Sequence, residues 1–199
     1  MGNIFNAPNV ITLCRLVGIP IYLALMYAGF PYSNLLATIL WTLFALTDLL
    51  DGWLARKYKL VTNFGKIIDP VADKIYVAAA MIALVDMHKL AVYVPILMLF
   101  RDFAVGALRD LAASKGVIIA ADKWGKFKTL LQNIAIGFII FYDSLVIYPF
   151  KMFDIYSAGS SGGFYVPAFI TGTVLIHVAL VASLFSGFNY FRRYFKLLG

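Results

Sequence analysis

The stretch TDLLDGWLARKYKLVTNFGKIIDPVAD, Thr47 to Asp73, carries four carboxylates, at Asp48, Asp51, Asp69 and Asp73, on the flanks of two apolar runs. The chain has only ten acidic residues in 199. Placing four of them there requires a reason. The composition around them is 62% hydrophobic, 16% aromatic and 14% charged, against roughly 45–50% apolar and about 25% charged for an ordinary soluble domain. That balance is the balance of a membrane protein.

Apolar stretches of about 20 residues are long enough to cross the hydrocarbon core of a bilayer. Six stand out: Val10–Phe30, Asn34–Ala55, Ile67–Asp86, Leu90–Ala112, Phe127–Ile147 and Phe164–Tyr190. The expected fold is therefore all-α and integral to the membrane, with six transmembrane helices, a polar cavity facing the cytoplasm and a single domain over residues 1–199. The opening MGNIFNAPNV lacks a basic segment ahead of an apolar core, so the first span is expected to be retained. Cys14 is the lone cysteine and leaves no intramolecular disulfide.

Lys and Arg in the short connections set orientation. Arg56, Lys57, Lys59 and Lys66 fall between the second and third spans, Lys115, Lys123, Lys126 and Lys128 between the fourth and fifth, and Arg192, Arg193 and Lys196 after the sixth. These segments are expected on the cytoplasmic side. The formal charge of +7 then reflects topology and attraction to anionic headgroups. Nucleic-acid binding is not expected, because the basic residues are divided among separate loops.

The carboxylates can be placed in depth. Asp51 and Asp48 lie five and eight residues before Arg56, and Asp69 and Asp73 four and eight after Gly65. At 1.5 Å per residue, both pairs sit about 6–12 Å inside their helices. Spacings of i, i+3 and i, i+4 put each pair on one helix face. Four unpaired anions in a partly dry pocket repel and take up protons; divalent cations relieve that conflict. Oxygen donors without nearby Cys or His favour hard ions such as Mg²⁺, Mn²⁺ or Ca²⁺. Two metals about 3.5–4 Å apart suit in-line displacement at phosphorus. A single intramembrane Asp is more simply an ion-pair partner or proton relay, but four at matched depth fit that reading poorly.

Asp48, Asp51, Gly52, Ala55, Arg56, Gly65, Asp69 and Asp73 spell D-x2-D-G-x2-A-R-x8-G-x3-D-x3-D, and with this pattern the chain resembles the CDP-alcohol phosphotransferases. The resemblance implies displacement of CMP from a CDP-activated partner by an alcohol, Mg²⁺ or Mn²⁺ as a pair of ions, and a homodimer in a bacterial inner membrane with its active site on the cytoplasmic side. It also implies that Asp48, Asp51, Asp69 and Asp73 are metal ligands, with Asp73 as the catalytic base. Gly52 and Ala55 leave room for a nucleotide, and Arg56 can grip phosphate oxygens bidentately. Thr62 either contacts the nucleotide or caps the third helix.

NAPNVITLCRLVGIP (Asn6 to Pro20), RDFAVGALRD (Arg101 to Asp110) and WGKFKTLLQ (Trp124 to Gln132) resemble the branch of the family whose donor is CDP-diacylglycerol and whose acceptor is glycerol 3-phosphate. That branch usually has Arg-Glu where this chain has Arg101 and Asp102, which shortens the reach of any ion pair formed there. Arg101 falls near the middle of its span, where a bare cation costs about 2.5–3.5 kcal/mol on insertion scales, so it needs a partner. It either joins Arg109, Lys126 and Lys128 around the acceptor phosphate, or pairs structurally with Asp102 or a hairpin carboxylate. Asn9, Thr12 and Arg15 share a broad face of the first helix; with Gly65 they are expected at the donor site, the alternative being a cap followed by a snorkelling arginine. His177 reads as a packing histidine, and Tyr190 and Tyr194 as part of an inner aromatic belt.

Three rivals keep the carboxylates but change the chemistry. A synthase of the same family would take inositol phosphate, serine or phosphatidylglycerol as acceptor. An intramembrane prenyltransferase would release diphosphate and has no use for Gly52, Ala55 and Arg56. A carboxylate-lined cation transporter would need polar residues continuing to the outer side, where Asp86 and Asp143 are among the few.

Overall fold

Each expected span forms a helix in the computed structural model: α1 (Ala7–Tyr27), α2 (Ser33–Tyr58), α3 (Asn63–Asp86), α4 (Tyr93–Ser114), α5 (Lys123–Ile147) and α6 (Tyr165–Tyr194). The structure describes residues 7–30, 32–58, 63–117, 123–147 and 165–194, with the side chains of 7–8, 48–58, 63–64, 66–67, 123–124, 143–147 and 165–168 outside the description. Among the described residues there is no strand.

Several ends differ from the apolar stretches for identifiable reasons. Gly29, at φ 65°, takes the left-handed conformation just beyond α1. The apolar stretch continues to Phe30, but the helix stops at Tyr27. At the end of α3, His88 is left-handed (φ 58°) and the Lys89 and Leu90 N–H groups return to the Leu84 carbonyl. α4 consequently starts at Tyr93 rather than Leu90. α2 runs past its apolar stretch to Tyr58, so Arg56 and Lys57 belong to the helix and not to the connection. α6 likewise carries Arg192 and Arg193 in its last turn, where cations suit the helix dipole.

Successive helices alternate in direction, as the cross-helix contacts show. Thr12 with Asp69 and Tyr27 with Asp86 pair α1 and α3 start to start and end to end. Arg101 with Ser183 and Arg109 with Tyr190 do the same for α4 and α6. Gly125 lies beside Ser186 while Gly172 lies beside Ile139, so α5 and α6 are antiparallel. α1 packs on both α2 and α3, α2 on α5, and α6 on α4 and α5. A Cβ on Gly172 would stand 2.7 Å from Ile139 Cγ1 and 3.1 Å from the Ala135 carbonyl oxygen. This is the close backbone approach that small residues permit between membrane helices.

An aromatic cluster ties the helices together at mid-height. Trp41 stacks on Tyr76 with ring centroids 4.1 Å apart, and Tyr22 meets both edge-on at 6.0 and 6.1 Å. Tyr76 donates to the Trp41 carbonyl at 2.8 Å, and Trp41 Nε1 donates to the Asn133 carbonyl at 3.2 Å. These bonds satisfy the polar tips of buried aromatic rings and join α2, α3 and α5, while Tyr22 adds α1. Large apolar side chains including Val17, Phe100, Phe103, Val181 and Phe188 are exposed around the outside. A surface of that kind calls for lipid or another apolar partner.

By length and composition, Asn9–Tyr27 and Phe169–Tyr194 are long and apolar enough to cross a bilayer, and Ser33–Thr47 is a shorter apolar stretch. α3 and α5 carry most of their charges in the first half, and α4 carries its charges from Arg101 onward. The charged halves all fall at the same end of the bundle: the starts of α1, α3 and α5 and the ends of α2, α4 and α6.

Candidate active site

The polar half of the bundle begins one helical turn from the aromatic cluster. Asp73 precedes Tyr76 on α3, and its Oδ1 accepts from Arg15 NH1 of α1 at 2.6 Å. One turn closer to the helix start, Asp69 Oδ1 accepts from Thr12 Oγ1 at 2.8 Å. The step from 12 to 15 on α1 matches the step from 69 to 73 on α3 because the two helices run parallel. Asn9, Thr12 and Arg15 are buried at about 3% exposure or less, whereas the Asp73 side chain is 48% exposed. The arginine is thus rooted in the helix interface and presents its guanidinium to a half-exposed carboxylate. Pro70, inside α3 beside Asp69, cannot donate to the carbonyl four residues earlier. It leaves that carbonyl without its usual helical donor next to the carboxylates.

Asp48 and Asp51 lie on α2, in the same half of the bundle, with Gly52, Ala55 and Arg56 following on the same helix; their side chains are outside the described residues, and Thr62 lies outside them altogether. Gly65 is buried in the first turn of α3. Among the described residues no group of three or more His, Cys, Asp or Glu converges; the described half of the quartet is Asp69 and Asp73. Their donor set is oxygen only, and Asp69 is exposed with one oxygen engaged by a neutral hydroxyl. That environment suits a hard divalent cation.

A second charged group gathers on α4, α5 and α6. Asp102 bridges two cations: Arg101 NH1 at 3.0 Å and Lys128 Nζ at 2.6 and 2.8 Å. Arg101 also donates from Nε to the Ser183 carbonyl at 3.0 Å and from NH2 to Ser186 Oγ at 2.6 Å. Gly187 admits it, since a Cβ there would stand 2.9 Å from Arg101 Cγ. Lys128 is 3% exposed and well inside α5, a buried partner rather than a loose anchor at the helix mouth. Lys126, two residues earlier, is exposed.

Arg109 turns to α6, donating to the Tyr190 hydroxyl at 2.7 Å and lying 5.2 Å from its ring centroid. Tyr190 is 5% exposed, which corrects its assignment to an aromatic belt: it is a packed partner of Arg109 and Tyr194. His177 is satisfied on both ring nitrogens, by the Tyr93 hydroxyl and the Thr173 carbonyl, each at 2.7 Å. The sequence reading missed the Arg15–Asp73 pair. Its signal was present in the matched polar spacings of α1 and α3, but was legible only once those helices were known to be parallel neighbours.

The arrangement offers oxygen ligands for a hard cation, one half-open carboxylate able to accept a proton, and cations in the same half of the bundle for anionic groups. Three bacterial relatives are similar to this chain along most of its length. The Bacillus subtilis (strain 168) protein is 40% identical over 161 residues, 73% of this chain and 83% of the relative. The Rickettsia bellii protein is 31% identical over 187 residues, 94% of both chains. The Haemophilus influenzae protein is 39% identical over 137 residues, 67% of this chain and 74% of the relative. All three are named CDP-diacylglycerol--glycerol-3-phosphate 3-phosphatidyltransferase. A sequence profile of CDP-alcohol phosphatidyltransferases matches residues 5–182, a range that takes in the whole carboxylate motif, α1 and the Asp102 cluster. This chain belongs to the CDP-alcohol phosphatidyltransferase family.

Proposed function

We propose that this protein transfers the phosphatidyl group of CDP-diacylglycerol to glycerol 3-phosphate, giving phosphatidylglycerophosphate and CMP. The observation that carries this is the match to relatives of that name over as much as 94% of both chains. Asp73 removes the proton from the acceptor hydroxyl. The freed oxygen forms a bond to the β-phosphorus of the donor as the bond from that phosphorus to the bridging oxygen breaks, and CMP departs with the electron pair. Thr12 orients Asp69, and Arg15 orients Asp73 from the buried side. The family uses divalent metal ions; here Mg²⁺ or Mn²⁺, as two ions held by Asp48, Asp51, Asp69 and Asp73, supplies charge neutralisation at the phosphates.

Gly52, Ala55, Arg56, Thr62 and Gly65, with Asn9 and Thr12, form the donor site. Arg101, Arg109, Lys126 and Lys128 make the far side of the cavity attractive to the acceptor phosphate. The six helices span a bacterial inner membrane, with the charged half on the cytoplasmic side as the positive-inside bias requires. Lipid covers the exposed apolar surface, and a homodimer is the expected assembly. A transporter reading is disfavoured by the Tyr22–Trp41–Tyr76 cluster, whose packed rings fill the space directly beyond Asp73.

Purified protein is offered CDP-diacylglycerol with glycerol 3-phosphate, inositol phosphate, serine or phosphatidylglycerol, and CMP release is counted. Turnover is expected with glycerol 3-phosphate, is lost on chelation and returns with Mg²⁺ or Mn²⁺. Robust turnover with serine and none with glycerol 3-phosphate refutes the acceptor.

A further inference from the structure

Lys74 follows Asp73 directly and points elsewhere. Adjacent helical residues diverge by about 100°, so while Asp73 faces Arg15 of α1, Lys74 faces α4. Its ammonium stands 5.0 Å from the centroid of the Phe103 ring and would be 3.3 Å from a Cβ on Gly106. The missing side chain at position 106 is what makes room for it. The lysine is half-buried, eleven residues into α3, about 16 Å from the helix start at 1.5 Å per residue. Its charge lies within the helix bundle, against α4.

The more deeply placed of the described cations on α4 and α5 are already tethered. Arg101 is held by Ser183, Ser186 and Asp102, Lys128 by both oxygens of Asp102, and Arg109 by Tyr190. Among the described residues, Lys74 meets the face of Phe103 and no carboxylate, and it lies near enough to Lys128 to act on it electrostatically. Among the described residues, Asp102 thus answers Arg101 and Lys128, and Lys74 adds a third positive charge to this group, one residue along α3 from Asp73. An ionisable residue inside a span is costly, and such residues mark functional sites.

We propose that Lys74 is a direct ligand of the acceptor's phosphate monoester, an inference that rests on the acceptor reading given above. With Asp73 taking the hydroxyl proton and Lys74 holding the phosphate, two neighbouring residues on one helix measure the acceptor. They select an alcohol whose anionic group lies three carbons from the reacting oxygen.

The test compares wild type, Lys74→Met and Lys74→Arg in steady-state CMP release, varying each substrate in turn, with thermal melting of each protein alongside. Wild-type turnover of glycerol 3-phosphate is established first; its absence removes the acceptor reading and the lysine's role with it. Given that turnover, Lys74→Met is expected to raise KM for glycerol 3-phosphate at least tenfold, with KM for CDP-diacylglycerol within twofold. Lys74→Arg is expected to recover most of the loss. The melting temperature of Lys74→Met is expected to equal or exceed wild type, since an uncompensated charge has been removed from an apolar span. An unchanged KM for glycerol 3-phosphate, a rise confined to the donor, or a parallel rise in both with a lowered melting temperature overturns the assignment to the acceptor while leaving the overall reaction standing.

Discussion

Replacing Asp102 with asparagine tests whether the cation cluster of α4, α5 and α6 depends on its single carboxylate. Lys128 is 3% exposed, Arg101 11% and Asp102 22%. Removing one partner of a buried pair costs about 3–5 kcal/mol, because the other charge is left uncompensated. Asp102 is partly open to solvent and asparagine can still accept one hydrogen bond, so the low end, about 3 kcal/mol, applies. For a chain of this size each kcal/mol shifts the midpoint by about 2–4 °C, so the fall is roughly 6–12 °C. Melting of the detergent-solubilised protein can be followed by tryptophan fluorescence, to which buried Trp41, stacked on Tyr76, contributes. In the double variant Asp102→Asn with Lys128→Met the uncompensated lysine is gone. Its midpoint is expected to rise back towards wild type, with a coupling of about 1–3 kcal/mol between the sites. A single variant melting within about 1 °C of wild type, or a double variant whose loss is the sum of the two singles, refutes the reasoning.

Two further perturbations address the catalytic and packing arguments. Asp73→Asn is expected to lower kcat at least about a hundredfold, the typical contribution of a positioned base, with a lowered melting midpoint because Arg15, 3% exposed, loses its ionised partner; retained wild-type turnover removes the base assignment. Gly172→Ala forces a methyl against Ile139 and the Ala135 carbonyl, an overpacking that costs about 1–3 kcal/mol. It should lower the midpoint by roughly 2–12 °C, and an unchanged melt shows that α5 and α6 can separate freely.

The helices and their alternation were legible because the features that encode them are local. Apolar runs of bilayer length mark the elements, and a carboxylate spacing of three or four residues fixes which side chains share a face. The same counting put Asp48, Asp51, Asp69 and Asp73 in one half of the bundle, where α2 and α3 carry them. Helix ends were less legible. Where α3 stops, at Asp86, is set by the left-handed turn at His88 rather than by apolarity.

Partnerships between charges were the part that sequence left open. Arg101 had two candidate roles, and rotation of α4 against α6 brings it to Ser183 and Ser186 as well as to Asp102. Arg109, two turns along, meets Tyr190 by the same rotation. Arg15 finds Asp73 across 58 residues of chain, and Lys128 finds Asp102 across 26. A helical period states which residues share a face, but not which neighbour that face meets. The neighbour is chosen by packing around the Tyr22–Trp41–Tyr76 cluster and by the close approach at Gly172. The sequence by itself therefore determined the elements, their order and the gathering of charge at one end of the bundle; the tertiary structure alone decided which cation answers which carboxylate, because helix rotation and tilt are settled by contacts between residues far apart in the chain.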